Sequence, residues 1–242
     1  IVPAALEAAC RRHGAQVLCL TTEAQNPTTG RMPLERRLAI AGIARAFDLQ
    51  IIEDDCYSVS ESDIPSMRAL APERVWLIGS LSKTVSAALR FGYVACPAGM
   101  GEAGGAGGQH FFYALSRPVA EMCHRLFASG AAGAIRSRVQ AEFADRLQGM
   151  INRLGAFDLA WQPGVPFVWL RMPMGWRASA FTRMAEVEGV LVRPADEYAL
   201  IGGRAPNAVR LAIAGNLPRA DFDAALDCLA RLLRNPPSDL AA

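Results

Sequence analysis

Along the first hundred residues, short apolar runs alternate with longer amphipathic stretches. The pattern predicts a helix over Ala4–His13, a strand at Val17–Leu20, a helix over Pro33–Phe47 and strands at Leu49–Ile52, Val75–Gly79 and Phe91–Cys96. Strands separated by helical stretches need crossover connections, so the fold class is α/β with a largely parallel sheet. Gly99–Gly108 reads as a flexible glycine-rich connector. From about Gln109 to Leu154, apolar residues recur at three- and four-residue spacing, which predicts one or two long helices. A second, smaller α/β segment follows, with strand Phe167–Met172, helix Ala178–Glu188, strands Val190–Val192 and Val209–Ile213, and a helix Arg219–Leu233 entered after Pro218. Asn235–Ala242, with two consecutive prolines, reads as a frayed tail. The division is residues 1–108, 109–154 and 155–242.

Composition narrows the picture. With 242 residues, 52% hydrophobic and 20% charged, the chain can bury one large core or two smaller ones, which excludes a disordered tail or a peptide-sized module. A net charge of +2 provides no field that would select nucleic acid or a membrane surface. No apolar run approaches the roughly eighteen residues that span a bilayer, and the first residues lack the order of a signal peptide, so a cytoplasmic protein is expected. The six cysteines fall singly, without a C-x-x-C pair, and are read as small apolar residues in a reducing compartment rather than a metal or disulfide framework. The start at Ile1, inside a helical pattern, is read as that of a fragment. Of 25 basic residues only Lys83 is lysine, leaving 24 arginines. A G+C-rich genome accounts for the bias but not for the exception. A guanidinium cannot lose its proton and form an imine, so a solitary lysine invites a chemical explanation.

In parallel α/β sheets, ligands bind beyond the carboxyl ends of the strands. Gln25-Asn26-Pro27-Thr28-Thr29-Gly30 follows the first strand, Glu53-Asp54-Asp55-Cys56-Tyr57 the second, and Ser80-Leu81-Ser82-Lys83, with Arg90 seven residues on, the third. Singly, each segment has an ordinary reading: Asn-Pro-Thr is a turn, and the aspartates and serines are caps or solvated groups. Together they bring an amine nucleophile, hydroxyls, an arginine, a carboxylate and a phenol to one edge. Such a set suits a ligand with an aldehyde, a phosphate and a basic ring nitrogen, and pyridoxal 5′-phosphate has all three.

Asn-Pro-Thr-x-Gly, Asp-x-x-Tyr and Ser-x-Ser-Lys with arginine seven residues on resemble the fold type I pyridoxal-phosphate enzymes of the aspartate aminotransferase superfamily. The stretches IIEDDCY, SLSKTVSAALRFGYVACP and QNPTTGRMPLERR look most like the aminotransferase-like domain of the GntR/MocR transcription regulators, whose complete chains carry an N-terminal winged helix. The resemblance implies that residues 1–108 are the C-terminal part of a large cofactor-binding domain, 109–154 connecting helices and 155–242 a small C-terminal domain. It implies that Lys83 forms the imine with the cofactor and then moves the substrate Cα proton. Asp54 would keep the ring nitrogen protonated, Tyr57 and Asn26 would hydrogen-bond the ring oxygen, and Ser80, Ser82 and Arg90 would hold the phosphate. In Asn207-Ala208-Val209-Arg210-Leu211, Arg210 would pair with the substrate α-carboxylate, beside Asn26.

The resemblance covers about the last two thirds of a typical catalytic domain. The part before it supplies, in the family, the first strands, a phosphate clamp, a ring stacked on the cofactor and dimer contacts. An unpaired sheet edge and weak cofactor binding by this chain alone are therefore expected. Pro194-Ala195-Asp196-Glu197-Tyr198 departs from a Pro-Gly seen in relatives, so substrate preference is unreadable. His13, His110 and His124 show no ligand spacing, no metal site is expected, and Trp161, Trp169 and Trp176 read as packing groups. The first function implied is a homodimeric, cofactor-binding effector domain that forms Schiff bases with an amino acid or amine, with DNA bound only through a domain outside this chain. The alternatives are a free-standing aminotransferase that yields 2-oxo acids, and a truncated inactive product.

Overall fold

The structure, a computed structural model, describes residues 1–57, 61–109, 115–213 and 215–237. Its backbone contacts form two units, Ile1–Gln25 with Gly30–Ser137, and Asn26–Thr29 with Arg138–Ala242.

In the first unit, α1 (Pro3–His13) starts with proline in its first turn and ends at Gly14, a left-handed residue whose N–H bonds Cys10 O. Strand β1 (Val17–Leu20), helix α2 (Leu34–Ala46), strand β2 (Gln50–Asp54), the short α3 (Met67–Leu70), strand β3 (Val75–Ser80) and strand β4 (Gly92–Ala95) follow. The sheet runs β1-β2-β3-β4, with the first three strands parallel and β4 antiparallel to β3. The carboxyl ends of three strands and the start of the fourth thus share one edge, with Ser80 opposite Gly92. Side chains alternate along a strand, so Ile51 and Glu53 turn into the core while Ile52 and Asp54 take the other face. The core joins Ile51 and Val75 to Ile40, Ala41 and Ala44 of α2, one stripe at helical spacing.

One expectation needs correction here. The stretch read as a glycine connector is helix α4 (Gly101–Gln109). The chain turns at Gly99, with φ +80, and Glu102 complements the helix dipole in the first turn. Gly104 then passes so close to Cys96 that a Cβ would collide with its Sγ, so glycine there serves packing. The long helical stretch forms two helices, within the expectation of one or two, α5 (Arg117–Ala128) and α6 (Ala131–Leu154), divided at Ser129-Gly130 where Gly130 adopts φ +75. Residues 110–114, including His110, lie outside the described residues, as does the tail from 238 on.

In the second unit an antiparallel sheet runs β5 (Leu159–Ala160), β6 (Phe167–Arg171), β8 (Ala208–Ala212), β7 (Arg193–Pro194). Val168 and Leu170 of β6 and Val209 and Leu211 of β8 share a core with Leu154, with Phe181 of α7 (Ala178–Val187), and with Phe222 and Leu229 of α8 (Arg219–Arg234). Trp176 packs edge-on to Phe181 at 5.3 Å, and its Nε1–H donates to Leu232 O. Trp169 is buried as expected, whereas Trp161 is not a packing group, being 43% exposed. The strand expected at Val190–Val192 forms instead at Arg193–Pro194. Gly189, at φ +81, reverses the chain and Val190 N–H bonds Ala185 O, so this segment closes α7 instead of joining the sheet. No described helix is long and apolar enough to cross a membrane.

Candidate functional site

At the shared sheet edge, β2 runs on through Asp54, whose Oδ1 accepts the Cys56 N–H at 2.9 Å and tightens the turn towards Tyr57. Asp55 N–H bonds Ile78 O at 3.0 Å, continuing the pairing with β3. Ser80 ends β3, donates its hydroxyl to Phe91 O at 3.1 Å and accepts the Ser82 N–H at 3.1 Å. Leu81 N–H also reaches Phe91 O, and the amides of Val85 and Ser86 both bond Leu81 O. The segment from Ser80 to Phe91 is therefore a hydrogen-bonded platform. It holds Lys83 exposed, with Nζ 6.0 Å from the centroid of the Tyr57 ring. Ser86 caps the short turn Ala87–Leu89, after which Arg90 adopts a left-handed backbone with φ 48 and an exposed side chain. A non-glycine residue held there is strained, and such strain collects at functional loops. The structure thus gathers Asp54, Tyr57, Ser80, Ser82, Lys83 and Arg90 at one sheet edge.

Two neighbours have perturbed chemistry. Burial, and then the nearby Asp54, push the Cys56 thiol up to about 12, so it carries no thiolate at neutral pH and is no nucleophile. Burial first, and then the charges of Glu23 and Glu53, push the Asp55 carboxyl up to about 7. Asp55 lines a cavity of about 300 Å³ with Ser80, Thr84, Tyr93, Phe127 and Arg136.

Behind the edge lies a network that sequence reasoning missed. Arg37, fully buried in α2, donates Nε–H to Met32 O at 3.0 Å, Nη1–H to Pro65 O at 2.9 Å and Nη2–H to Glu23 Oε1 at 2.5 Å. Glu23 also accepts from Arg31, and buried Glu53 accepts from Thr22 Oγ1 and the amides of Met67 and Arg68. These bonds clamp Thr22, Glu23 and Met32, and Gln25 N–H bonds Gly30 O at 2.9 Å, closing the base of the Asn26 loop. The available signal was a charge on an apolar stripe, since Arg37 lies three residues before Ile40 and glutamate follows Ile51 at strand spacing.

Asn26 and Arg210 group with the second unit. The Asn26–Pro27 peptide is cis, Thr29 has φ 64, and the Gln162 side-chain amide donates to Thr29 O. Arg210 stands opposite Trp169 in the β6–β8 register, its guanidinium 4.3 Å from the Phe167 ring centroid. Asn207 is structural: it accepts the Ala178 N–H at 2.7 Å, capping α7, and donates to Trp176 O.

The family model for aminotransferase class I and II matches residues 2–229. The chain is 29% identical over 235 residues to the uncharacterized HTH-type transcriptional regulator YdeF of Bacillus subtilis, covering 96% of this chain and 50% of that protein. It is 40% identical over 103 residues to the HTH-type transcriptional regulator TauR of Rhodobacter capsulatus, covering 40% of this chain and 20% of TauR. Among solved structures, LysN, the α-aminoadipate aminotransferase of Thermus thermophilus complexed with N-(5′-phosphopyridoxyl)-L-leucine, superposes with a TM-score of 0.78 at 26% identity, over 96% of this chain and 62% of LysN. The chain thus spans about half the length of YdeF. It is an aminotransferase-like domain, homologous to those of GntR/MocR-type regulators and to the aminotransferases, with the α/β architecture of fold type I. Both its sequence and its fold therefore place the chain in the class I and II aminotransferase family.

Proposed function

We propose that this chain binds pyridoxal 5′-phosphate through Lys83 and takes up an amino acid or amine, as the effector domain of a GntR/MocR-type regulator. The observation that carries the reading is the solitary lysine, its Nζ 6.0 Å from the Tyr57 ring, at the edge where β2 ends in Asp54 and β3 in Ser80. The donor set fits the cofactor, which when bound supplies an electron sink for charge developing at a substrate carbon. Lys83 is the one side-chain amine able to attack its aldehyde carbon, and would later carry the substrate proton on Nζ. Asp54 would hold a proton on the ring nitrogen by ion pairing. Tyr57 and Asn26 would donate to the ring oxygen. Arg90 and Ser82 would bind the phosphate, joined by Ser80 once its hydroxyl turns from Phe91 O. Arg210 would take the substrate α-carboxylate. On this reading residues 1–108 belong to the large cofactor-binding domain, 109–154 connect, and 155–242 form the small domain of a cytoplasmic homodimer. DNA is then bound through a separate winged helix. A free-standing aminotransferase is the second reading, favoured by the likeness to LysN.

The test is to mix the chain with pyridoxal phosphate, reduce with borohydride and map the added mass by peptide mass spectrometry. A label on Lys83 that disappears in Lys83→Ala supports the reading, and a folded chain labelled only at its N-terminal amine overturns it. Incubating the cofactor-loaded, unreduced protein with an amino acid, and with a second 2-oxo acid to take up the amino group, separates the two readings. Release of 2-oxo acid over many turnovers marks the enzyme, and binding without turnover marks the effector domain.

A further inference from the structure

The small-domain sheet has two unlike faces. One is closed by α7 and α8 over Val168, Leu170, Val209 and Leu211. The other presents Phe167, Trp169, Ala208 and Arg210, an arginine among apolar groups. A guanidinium in such surroundings loses hydration and needs acceptors for its five N–H bonds. Its described contacts are few. The π-face rests on Phe167 at 4.3 Å, Nη1–H reaches the hydroxyl of Tyr198 at 3.5 Å, and Nε–H is buried without an acceptor. The neighbouring Arg193, opposite Arg210 on β7, is paired with Glu197 at 3.1 Å. A buried donor left without an acceptor is a cost that a bound anion removes.

We infer that Tyr198 is a positioning residue for Arg210: with Phe167 beneath and the phenol hydroxyl at Nη1, it fixes the guanidinium so that its remaining donors receive a carboxylate. The inference rests on the reading of Arg210 as the substrate-carboxylate site and adds a residue to it. Tyr198 ends the short turn Ala195–Tyr198 that follows β7, so the hydroxyl is delivered by a segment fixed to the sheet rather than by a free loop. A contact of 3.5 Å is long for a hydrogen bond, and one that orients a binding group is expected to tighten once the ligand is in place. The consequence is selectivity: a held guanidinium discriminates α-amino acids from amines that lack the carboxylate, because a bidentate pair needs both donors aligned.

The test has two arms. In the first, which needs no cofactor, the chain and Tyr198→Phe are treated with phenylglyoxal and the rate of modification at Arg210 is read by peptide mapping, with Arg193 as internal reference. Release from the hydroxyl is expected to raise the Arg210 rate several-fold while Arg193 is unchanged, and equal rates in the two proteins overturn the inference. In the second, the protein loaded with pyridoxal phosphate is titrated with an amino acid and with its decarboxylated amine, and the spectral change gives each affinity. Tyr198→Phe should weaken the amino acid about tenfold and leave the amine unchanged. Equal weakening of both ligands overturns the positioning role. If Arg210→Ala binds the amino acid as well as the native chain does, the carboxylate reading of Arg210 fails. The first arm still reports separately whether Tyr198 holds the guanidinium.

Discussion

Lys83 and Arg210 are held by opposite means. Lys83 stands in an irregular segment whose shape comes from polar bonds: Ser80 to Phe91, Ser82 to Ser80, and two amides on Leu81 O. Behind it, the first unit buries Arg37 and Glu53 within its core. Arg210 lies in the middle of a strand whose opposite face is apolar, and its immediate support is a ring and a phenol. A group that must reach out to react is placed by a hydrogen-bonded scaffold, which fixes an irregular backbone. A group that only receives a ligand can be placed by packing. The first unit should therefore be vulnerable to loss of charge pairing and the second to loss of volume.

The largest effects should come from striking each support. Arg37→Met removes the donor to Met32 O, Pro65 O and Glu23 and should destabilise the first unit by about 3–5 kcal/mol, as breaking a buried pair does. Phe181→Ala empties a fully buried site in the second unit and should cost a similar amount, about 3–5 kcal/mol. The two are separable by fluorescence, because Trp76 belongs to the first unit and Trp161, Trp169 and Trp176 to the second. In urea, Arg37→Met should shift the transition seen by Trp76 and Phe181→Ala that seen by the other three. Faster amide exchange at Gln25 and Met32 in Arg37→Met would tie the network to the loop that carries Asn26. If both variants shift both probes equally, the units are not held by different means.

The next effect is pH dependence, and it belongs to the first unit. The Asp55 carboxyl is pushed up to about 7 from an ordinary 3.8. Between those values the folded chain holds a proton that the unfolded chain has released, so stability falls as pH rises through this window and levels off above it. At about 1.4 kcal/mol per unit, the loss is at most about 4 kcal/mol. Asp55→Asn cannot ionise, and its transition should stay flat where the native one declines, giving the variant higher stability at pH 8. A native profile without that decline would remove Asp55 from the buried polar support.

The same contrast explains what the sequence disclosed. Strands β1, β3, β6 and β8 were legible because apolar runs bounded by turn residues map onto sheets, and the motif segments fall at their ends. Asp54 was expected just beyond a strand, and the strand includes it because Asp54 pairs with Ile78. Helix α4 was hidden because its glycines read as a breaker, although close approach to Cys96 requires one of them. The strand at Arg193–Pro194 was displaced because Val190 spends its N–H on closing α7. Arg37 was passed over, and Glu53 was counted only among the polar groups beyond the second strand, because a pattern of apolar positions does not register a charge that is fully satisfied inside. Packing reads from periodicity, whereas polar support depends on partners far apart in sequence.

The smallest effect tests that distinction at a single residue. Arg90 holds a left-handed backbone at φ 48, where a side chain costs about 1 kcal/mol relative to glycine. Its guanidinium is exposed at the same edge as Lys83. In Arg90→Gly the strain disappears while the unfolded chain gains freedom, so the two changes offset and stability should move by less than about 1 kcal/mol. Cofactor retention, read as the concentration of pyridoxal phosphate needed for half-maximal labelling of Lys83, should meanwhile weaken about tenfold or more, since a charge-assisted pair with the phosphate is lost. Arg90→Ala keeps the strain and should show the same labelling defect with stability equal to or below that of Arg90→Gly. If Arg90→Gly instead loses several kcal/mol with labelling intact, the guanidinium belongs to the scaffold, and the line between platform and reactive group must be redrawn at this residue.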